Sequence, residues 1–338
     1  MTGPTHHFSF LVLFLASLLA GSPQAVAGED EADIFAVLRA MNRALEEATY
    51  RGILVHVHDR EMDAIEIVHQ GGPGGRERLF SLTGEPREVI RGPRGVTCIL
   101  PRQRTIMVDH SLPQGPAGEG LTAAPERLGS HYRFRTEGSD RVAGLDALVI
   151  VIEPRDPYRY GHRFWVDART HLPLRSELFT LDGRLLARLM YASIEYLEHL
   201  PDEAFAPRLT GEGFRTLRNR PVEHPVEQDG RPQGTYRPAV RIRWVPPGFL
   251  RTAHRWHGMP MSESMVEHLL YSDGLASFSI YVEQGPSAGT RHLEGTAAMG
   301  SVHASGRRLG SLHVTVVGEV PAATVERVAA SIEPESVP

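Results

Sequence analysis

Residues 50 to 194 consist mostly of short segments in which apolar and polar residues alternate. A period of two places every second side chain on the same face of a β-strand. Ile53, Val55 and Val57 show the pattern first, and turn residues such as Asp182-Gly183 separate later segments. Sequential strands with short connections pair as antiparallel neighbours. This part of the chain is therefore expected to form one large antiparallel sheet.

An amphipathic helix is predicted immediately before the sheet. Asp33 is suited to the N-cap, and Arg51-Gly52 follows the helix as a stop signal. The apolar residues recur at three- and four-residue spacing: Ile34, Phe35, Leu38, Met41 and Leu45. Such a stripe must be buried, and the adjacent sheet offers a surface. We predict an α+β domain in which the helix covers the concave face of the sheet.

The beginning of the chain is typical of an exported protein. Residues 1–27 contain a polar start, an apolar run from Phe8 to Ala20 and the cleavage pattern Ala25-Val26-Ala27. The run is shorter than the roughly 20 residues that span a bilayer. The first segment has no Lys or Arg, so an uncleaved anchor or a buried N-terminal helix is the alternative. We expect a signal peptide over 1–27.

The mature chain is predicted to contain two domains, at 28–200 and 239–338. Residues 201–238 carry six prolines and no lasting apolar period, which favours an interdomain linker; an extended arm packed on a domain is the alternative. In the second domain, Asp273-Gly274 indicates a hairpin. Residues 244–249 are expected to be a strand running into a turn. Pro321 is placed to open a final helix over Ala322 to Ile332, which makes this a smaller α+β unit.

Composition excludes several classes of protein. The formal net charge of −5 argues against a general nucleic-acid binder. Cys98 is the only cysteine, so no internal disulfide can form. All 36 residues counted as Lys or Arg are arginine, which excludes a catalytic lysine and favours planar, bidentate contacts with phosphates and carboxylates.

The sequence motifs do not assemble an active site. Residues 285–289 match G-x-S-x-G, but no apolar helical pattern follows Ser287, as a nucleophile elbow requires. His56 and His58 share one strand face, yet no carboxylate or third histidine stands at a motif distance. The glycines at 71–75 lack the Lys-Ser/Thr of a phosphate loop. We therefore expect a protein that is not an enzyme, with no catalytic residue, metal site or cofactor.

Charged residues alternate along two of the predicted strands, in Arg76-Glu77-Arg78 and Arg87-Glu88. This pattern favours a solvated sheet face with cross-strand ion pairs. An arginine-lined surface for anionic headgroups is the alternative.

Several sequence blocks resemble one protein family, in the right order along the chain. In the first half they include Tyr50-Arg51-Gly52, Glu77-Arg78-Leu79 and Cys98-Ile99-Leu100-Pro101. In the second half, residues 244–249 (WVPPGF), 271–275 (YSDGL) and 316–321 (VVGEVP) continue the likeness. The chain resembles the RseB/MucB family of periplasmic regulators.

The resemblance implies a periplasmic negative regulator of an envelope-stress sigma factor of the sigma-E or AlgU type. Members bind the periplasmic part of a membrane-spanning anti-sigma factor and shield it from the first regulated protease. Misplaced lipopolysaccharide or lipid releases them, and in pseudomonads the switch controls alginate production. The larger domain resembles lipoprotein carriers, a half-barrel of curved antiparallel sheet covered by helices. A periplasmic lipid or lipoprotein carrier is therefore the alternative, but it would not need a second domain.

Two sets of candidate binding residues follow from this resemblance. The first set lines the half-barrel and contacts lipid, with plain core as the alternative: Ile53, Val55, Val57, Ile65 and Ile67. The second set supplies anchors for the anti-sigma factor, with hairpin core as the alternative: Trp244, Tyr271, Leu275, Phe278 and Tyr281. The sequence leaves homo-oligomerisation open.

Overall fold

The structure is a computed structural model, and it describes residues 27–58, 61–109, 125–209, 213–219, 239–258, 265–284 and 292–335. Residues 1–26 of the predicted signal peptide, the G-x-S-x-G string at 285–289 and residues 220–238 of the predicted linker lie outside these ranges. The two α-helices of the described ranges are α1 (Ala27–Glu47) and α2 (Ala322–Ala330). Neither is long and apolar enough to cross a membrane.

Twelve strands form the first sheet, in the order β12-β6-β5-β4-β3-β2-β1-β11-β10-β9-β8-β7. Their bounds are β1 (Tyr50–His58), β2 (Glu61–Gln70), β3 (Arg76–Ser81), β4 (Glu88–Gly92), β5 (Gly95–Leu100), β6 (Thr105–Asp109), β7 (Tyr132–Val142), β8 (Leu145–Pro154), β9 (Gly161–Asp167), β10 (Pro173–Phe179), β11 (Leu185–Tyr196) and β12 (Arg215–Asn219). Neighbours pair antiparallel except β12 and β6, which are parallel. Short 3₁₀ helices lie at Pro101–Gln103, Pro125–Ser130 and Asp202–Phe205.

Helix α1 packs on one face of this curved sheet, as its apolar stripe predicts. Ile34, Leu38 and Met41 are buried against Phe134 and Ile150 in one cluster. The C-terminal turns of the helix join a second cluster through Ala44, which also contains Tyr50, Leu54 and Ile67. The prediction of an α+β first domain, a large curved sheet covered by a helix, is confirmed.

The second domain is smaller and is built around a six-stranded sheet in the order β14-β15-β16-β19-β18-β17. The bounds are β13 (Val240–Ile242), β14 (Leu250–Gly258), β15 (Met265–Ser272), β16 (Ser277–Gln284), β17 (Gly295–Met299), β18 (Val302–Leu309), β19 (Leu312–Gly318) and β20 (Ile332–Pro334). Strands β13 and β20 form a separate antiparallel pair. Val325 and Val328 of α2 are buried against Ile280 and Val316, so the predicted final helix covers one face of the sheet.

One predicted strand in this domain is wrong. Residues 244–249 connect β13 to β14 without strand pairing. Pro246 and Pro247 have no backbone N–H to donate to a sheet ladder, and Gly248 has a φ of +87°, which L side chains rarely adopt. The hairpin at Asp273-Gly274 does join β15 to β16, with a loop of residues 273–276.

The described part of the predicted linker packs on the first domain. Phe205 is buried, with the Arg76 guanidinium 4.3 Å from the centre of its ring. The backbone N–H groups of Arg208 and Leu209 donate to the buried Glu88 carboxylate at 2.9 and 3.0 Å. Strand β12 then extends the edge of the first sheet. Residues 201–209 and 215–219 are therefore structural parts of the first domain.

Candidate functional site

A buried salt bridge joins the two domains. Arg159 lies between β8 and β9, and its Nη1 donates to Asp273 Oδ2, in the loop of the second-domain hairpin, at 2.7 Å. Both side chains are 0% exposed. Arg159 Nη2 also donates to the Pro247 carbonyl oxygen at 2.6 Å, so the guanidinium holds two separate loops of the second domain. Burial of an ion pair is tolerated only where both partners are fully hydrogen-bonded.

The Asp273 carboxylate meets that condition. Its Oδ1 accepts the backbone N–H groups of Leu275 and Ala276 at 2.9 and 2.8 Å, which also shapes the hairpin loop. Its Oδ2 accepts the Tyr132 hydroxyl at 2.9 Å in addition to Arg159. Burial, followed by the negative charge of Asp273, raises the pKa of Tyr132 well above its ordinary value, so this hydroxyl stays a donor. Both carboxylate oxygens of Asp273 therefore have two hydrogen-bond donors each.

A second contact lies beside this pair, between residues 158–160 and the end of the second domain. The Tyr158 carbonyl oxygen accepts the Thr324 hydroxyl of α2 at 2.7 Å. The Tyr158 ring lies 5.0 Å from that of Trp244, and the Arg327 guanidinium sits 4.1 Å from the centre of the Trp244 ring. The Tyr160 hydroxyl is 3.2 Å from His303 Nδ1. The loop before β9 thus contacts three separate segments of the second domain.

The junction also explains a glycine in the segment between β13 and β14. A Cβ added to Gly248 would lie 2.3 Å from Cδ2 of His131, in the first domain. Gly248 combines this close approach with its positive φ. Only glycine fits both conditions without a shift of the neighbouring ring.

Two of the residues predicted to anchor the anti-sigma factor lie at this junction. Leu275 packs against the core cluster of the first domain, and Trp244 contacts Tyr158. Tyr271 is partly buried and stacks on Phe278 with the ring planes 6° apart. These three side chains contribute to the internal packing of the molecule.

Phe278 and Tyr281 lie on opposite faces of β16. Phe278 is 1% exposed within the second-domain core, so its assignment as a surface anchor needs correction. Because side chains alternate along a strand, Tyr281 points to the face away from α2, where it stacks on His268 at 4.5 Å. Tyr281 is the predicted anchor that this sheet presents outward.

The five residues predicted to line a single lipid-binding surface do not share a face. In the β1–β2 pair, Ile53 stands opposite Glu66, and Leu54 stands opposite Ile65. Residues directly opposite each other lie on the same side of a sheet. Ile65 and Ile67 are therefore on the face that α1 covers. The other three, Ile53, Val55 and Val57, are on the opposite, open face, which corrects the predicted lining.

The open face carries a cavity of about 580 Å³ that is rich in arginine. It lies along a line of directly opposite residues that crosses four strands. The line runs from Val57 of β1 through Arg188 of β11 and Glu177 of β10 to Arg163 of β9. The lining residues are Arg133, Arg135, Glu153, Pro154, Arg163, Glu177, Phe179, Leu181, Asp182, Gly183, Leu185 and Arg188. Leu181 and Leu185 are exposed despite being large and apolar. The cavity thus places cationic groups beside apolar surface.

Glu177 organises the arginines of this cavity. It accepts hydrogen bonds from Arg163 at 3.1 Å, from Arg188 at 2.7 Å and from Arg175. Burial alone would raise the pKa of Glu177, but the hydrogen bonds and charges of Arg175 and Arg188 outweigh it and lower that pKa. This carboxylate therefore stays ionised and holds the guanidinium groups in place.

A second cavity on the open face, of about 500 Å³, lies where residues 200–208 cross the sheet. Ile53, Val68, Ile194 and Leu200 supply apolar lining, and Arg78 pairs with Glu66 at 2.7 Å. Of the predicted lipid contacts, Ile53 lies in this cavity, and it is 37% exposed.

The histidines of β1 have a carboxylate neighbour that sequence spacing did not reveal. Asp63 stands opposite His56 in the strand pairing, and its Oδ2 is 3.5 Å from His58 Nε2. Donor atoms of the three residues lie within 4.8 Å of one another. The side chains of His58 and Asp63 are 29% and 42% exposed, and none of the three residues has a buried polar atom without a partner, so this cluster does not require a metal ion. Burial lowers the pKa of His56, and the neighbouring His58 lowers it further. The pairing of β1 with β2 brings this carboxylate to the histidines.

Two family models together match most of the chain. The model of the MucB/RseB N-terminal domain matches residues 33–209, and that of the MucB/RseB C-terminal domain matches residues 236–333. The chain belongs to the MucB/RseB family. The two matched ranges contain both halves of the domain junction.

Named members of the family are similar over nearly their whole length. The sigma factor AlgU regulatory protein MucB of Pseudomonas aeruginosa is 33% identical over 325 residues, which cover 94% of this chain and 96% of the relative. The sigma-E factor regulatory protein RseB of Escherichia coli is 24% identical over 300 residues, or 88% and 90% of the two chains. These MucB/RseB relatives are named as regulatory proteins of sigma factors.

Solved MucB structures share the arrangement of the chain. A complex of MucA and MucB from Pseudomonas aeruginosa matches with a TM-score of 0.67 and 27% identity, over 90% of this chain and all of that one. MucB in complex with MucA(peri) matches with a TM-score of 0.64 and 28% identity, over 90% and 99% of the two chains. The MucB/RseB fold is thus shared across both domains.

Proposed function

We propose that this chain is a periplasmic negative regulator that binds the periplasmic domain of a membrane-spanning anti-sigma factor and shields it from regulated proteolysis. Lipid or lipopolysaccharide releases it, and the sigma factor response begins. One observation carries the proposal: the chain matches, through both domains, a MucB structure solved in complex with MucA(peri). A signal peptide over residues 1–27 is part of the same proposal, since the partner domain projects into the periplasm.

The domain junction supports this role because the MucB structures solved with MucA match this chain through both of the domains that the junction joins. Arg159 and Asp273 fix the second-domain hairpin against the first domain, and Leu275 packs into the first-domain core. Tyr281 lies on the same hairpin but on the outward face. We assign it to the anti-sigma factor interface, as a partly apolar, partly polar anchor of the kind that dominates protein interfaces.

The arginine-rich cavity suits an anionic amphiphile. Arginine binds phosphate oxygens with two parallel hydrogen bonds, and the exposed Leu181 and Leu185 offer contact for acyl chains. Lipopolysaccharide and anionic phospholipids combine both chemical groups. We therefore assign lipid binding to this cavity. It replaces the five lipid-contacting residues that the sequence analysis predicts.

A reconstituted protection assay tests the regulatory function. The periplasmic segment of the anti-sigma factor is incubated with its first protease, with or without the mature chain, and cleavage is followed over time. The proposal predicts slower cleavage in the presence of the chain and restored cleavage when lipopolysaccharide is added. Cleavage at the same rate with and without a stoichiometric amount of folded chain would contradict it.

Variants of the arginine-rich cavity distinguish release of the chain by lipopolysaccharide from its protection of the anti-sigma factor. Arg133→Gln removes an arginine whose side chain is mostly exposed, and Leu185→Ser removes exposed apolar surface. Both variants should protect as the parent chain does, but more lipopolysaccharide should be needed to restore cleavage. Arg243→Gln, an exposed arginine remote from the cavity, serves as the control and should leave that requirement unchanged.

A further inference from the structure

A cluster of two histidines and a glutamate lies in the second domain, outside the domain junction and both cavities. Glu283 of β16 stands directly opposite His313 of β19. His292 precedes β17, and its ring lies 4.4 Å from that of His313. One donor atom from each of the three residues lies within 4.8 Å of the other two. The three side chains converge from three separate segments of the chain.

His313 is oriented as metal-bound histidines commonly are. Its side chain is buried, and Nε2 lies 2.8 Å from the Leu293 carbonyl oxygen. A carbonyl oxygen only accepts, so Nε2 carries the proton and Nδ1 of the neutral ring keeps a free electron pair. The Thr315 hydroxyl is 3.5 Å from Nδ1, at the outer limit of a hydrogen bond. Backbone carbonyls hold the second nitrogen of metal-ligating histidines in this way.

His292 is nearly buried and incompletely satisfied. Its side chain is 11% exposed, and Nδ1 lies 3.7 Å from Glu283 Oε2. Among the residues that the structure describes, none gives Nε2 a hydrogen bond. A buried polar atom without a partner costs about 1–3 kcal/mol, so the ring of His292 is not held by hydrogen bonds at both nitrogens, and it can turn to offer one of them to a metal ion.

We propose that Glu283, His292 and His313 bind a divalent first-row metal ion of the zinc class, with a fourth position open to water. Two imidazoles and a carboxylate are a donor set that Zn²⁺ prefers. Donors around a tetrahedral zinc ion are roughly 3.4 Å apart, given bond lengths near 2.0–2.1 Å. The donors of this cluster, within 4.8 Å of one another, reach that spacing through small side-chain rotations.

The ion would fasten residues 292–294 across the outer face of the six-stranded sheet. That segment already lies close to the sheet, since a Cβ at Gly306 would be 2.0 Å from the Leu293 carbonyl oxygen. Metal binding would therefore stabilise the second domain by holding the same segment that the Leu293–His313 hydrogen bond holds. Metal affinity should rise with pH through the range in which histidine loses its proton, because only neutral imidazole is a ligand.

Zinc titration of the full mature chain, purified without a histidine tag and stripped with EDTA, tests this site. Calorimetry should give one Zn²⁺ per chain, and zinc should raise the unfolding temperature. Co²⁺ in place of zinc should give the absorption bands of a tetrahedral complex. His292→Ala and Glu283→Gln should weaken zinc binding by at least about 100-fold, since even outer-shell changes cost 10–100-fold.

The other histidine cluster provides the matched control. His56→Ala combined with His58→Ala removes two histidines from the first domain and should leave the zinc stoichiometry and affinity unchanged. Circular dichroism of each variant establishes that it is folded. The proposal is overturned if the parent chain binds no zinc, if His292→Ala and Glu283→Gln bind as the parent does, or if the bound zinc is lost in the His56/His58 variant instead.

Discussion

Arg159 of the first domain and Asp273 of the second form an ion pair from which solvent is excluded, with an Nη1 to Oδ2 distance of 2.7 Å. The two residues are 114 positions apart in the chain. Tyr132, Pro247 and the backbone of the hairpin loop complete the hydrogen bonding of the pair. These contacts hold the second-domain hairpin in one position against the first domain. The stability of the molecule should therefore depend on the ion pair.

Removal of the arginine should destabilise the protein strongly. Arg159→Met leaves the Asp273 carboxylate buried without its cation, which costs about 3–5 kcal/mol where a buried pair is broken. Urea unfolding should show a lower midpoint than that of the parent chain. Arg243→Met is the control, because Arg243 and Glu333 are 55% and 54% exposed and such surface pairs contribute about 0–1 kcal/mol. Equal effects of the two variants would contradict the role of the buried pair.

Gly248→Ala should destabilise the junction more than a glycine substitution elsewhere with the same backbone conformation. Gly183 is the matched control, since its φ is +86° and no atom lies near the place of its Cβ. Both variants should lose about 1–2 kcal/mol from the backbone strain of an L-residue at positive φ. Gly248→Ala should lose roughly 1–3 kcal/mol more because its methyl group overlaps His131. The measurement is thermal unfolding of both variants, and indistinguishable midpoints would show that His131 moves aside freely.

Burial of His162 should make the first domain sensitive to acid. Burial lowers the pKa of His162 from 6.5 to about 4, so the fold favours the neutral ring. The stability from this group is complete above pH 6.5 and is lost as pH falls toward 4, because the unfolded chain binds the proton first. The loss should approach 3 kcal/mol, at about 1.4 kcal/mol per pKa unit. Unfolding free energies of His162→Phe between pH 7 and 4 should decline less steeply than those of the parent, whereas exposed His199→Gln should follow the parent.

Alanine variants of Phe278 and Tyr281 should distinguish a residue that stabilises the fold from one that binds the partner. Phe278→Ala removes a core ring and should cost about 3–5 kcal/mol of stability. Tyr281→Ala should leave the unfolding midpoint near that of the parent but weaken binding of the anti-sigma segment about tenfold, or 1.4 kcal/mol. Calorimetric binding and urea unfolding of both variants check this. Unchanged affinity in a folded Tyr281→Ala variant would remove Tyr281 from the interface.

Sequence patterns predict most of the helices and strands of the described residues, but not which face of a strand each side chain occupies. The helical stripe of Ile34, Leu38 and Met41 and the hairpin around Asp273 follow from local period and turn residues, and both are present. The prediction that Ile53 and Ile65 share one face is wrong, because pairing of His58 with Glu61 sets odd residues of β1 opposite even residues of β2. The alternation of apolar residues does not set that register, and a shift of one residue reverses every face.

Local sequence patterns do not predict contacts between residues that are far apart in the chain. The sequence identifies Asp273 as a turn residue, but no neighbouring residue in the sequence indicates that its carboxylate also binds Arg159. The proline-rich composition of residues 201–238 concealed β12, whose partner β6 lies about a hundred residues earlier. Strand pairing likewise brings Asp63 to His56 and Glu283 to His313. Each of these sites requires the fold before its residues can be recognised as neighbours.

The affinity of the folded mature chain for the periplasmic segment of its own organism's anti-sigma factor is the most direct test of the proposed function. Isothermal titration of the two purified proteins, without lipid, is the measurement. The regulatory account predicts a saturable complex with a dissociation constant in the micromolar range or below. Absence of any complex at micromolar concentrations, with both proteins shown to be folded or intact, would contradict it.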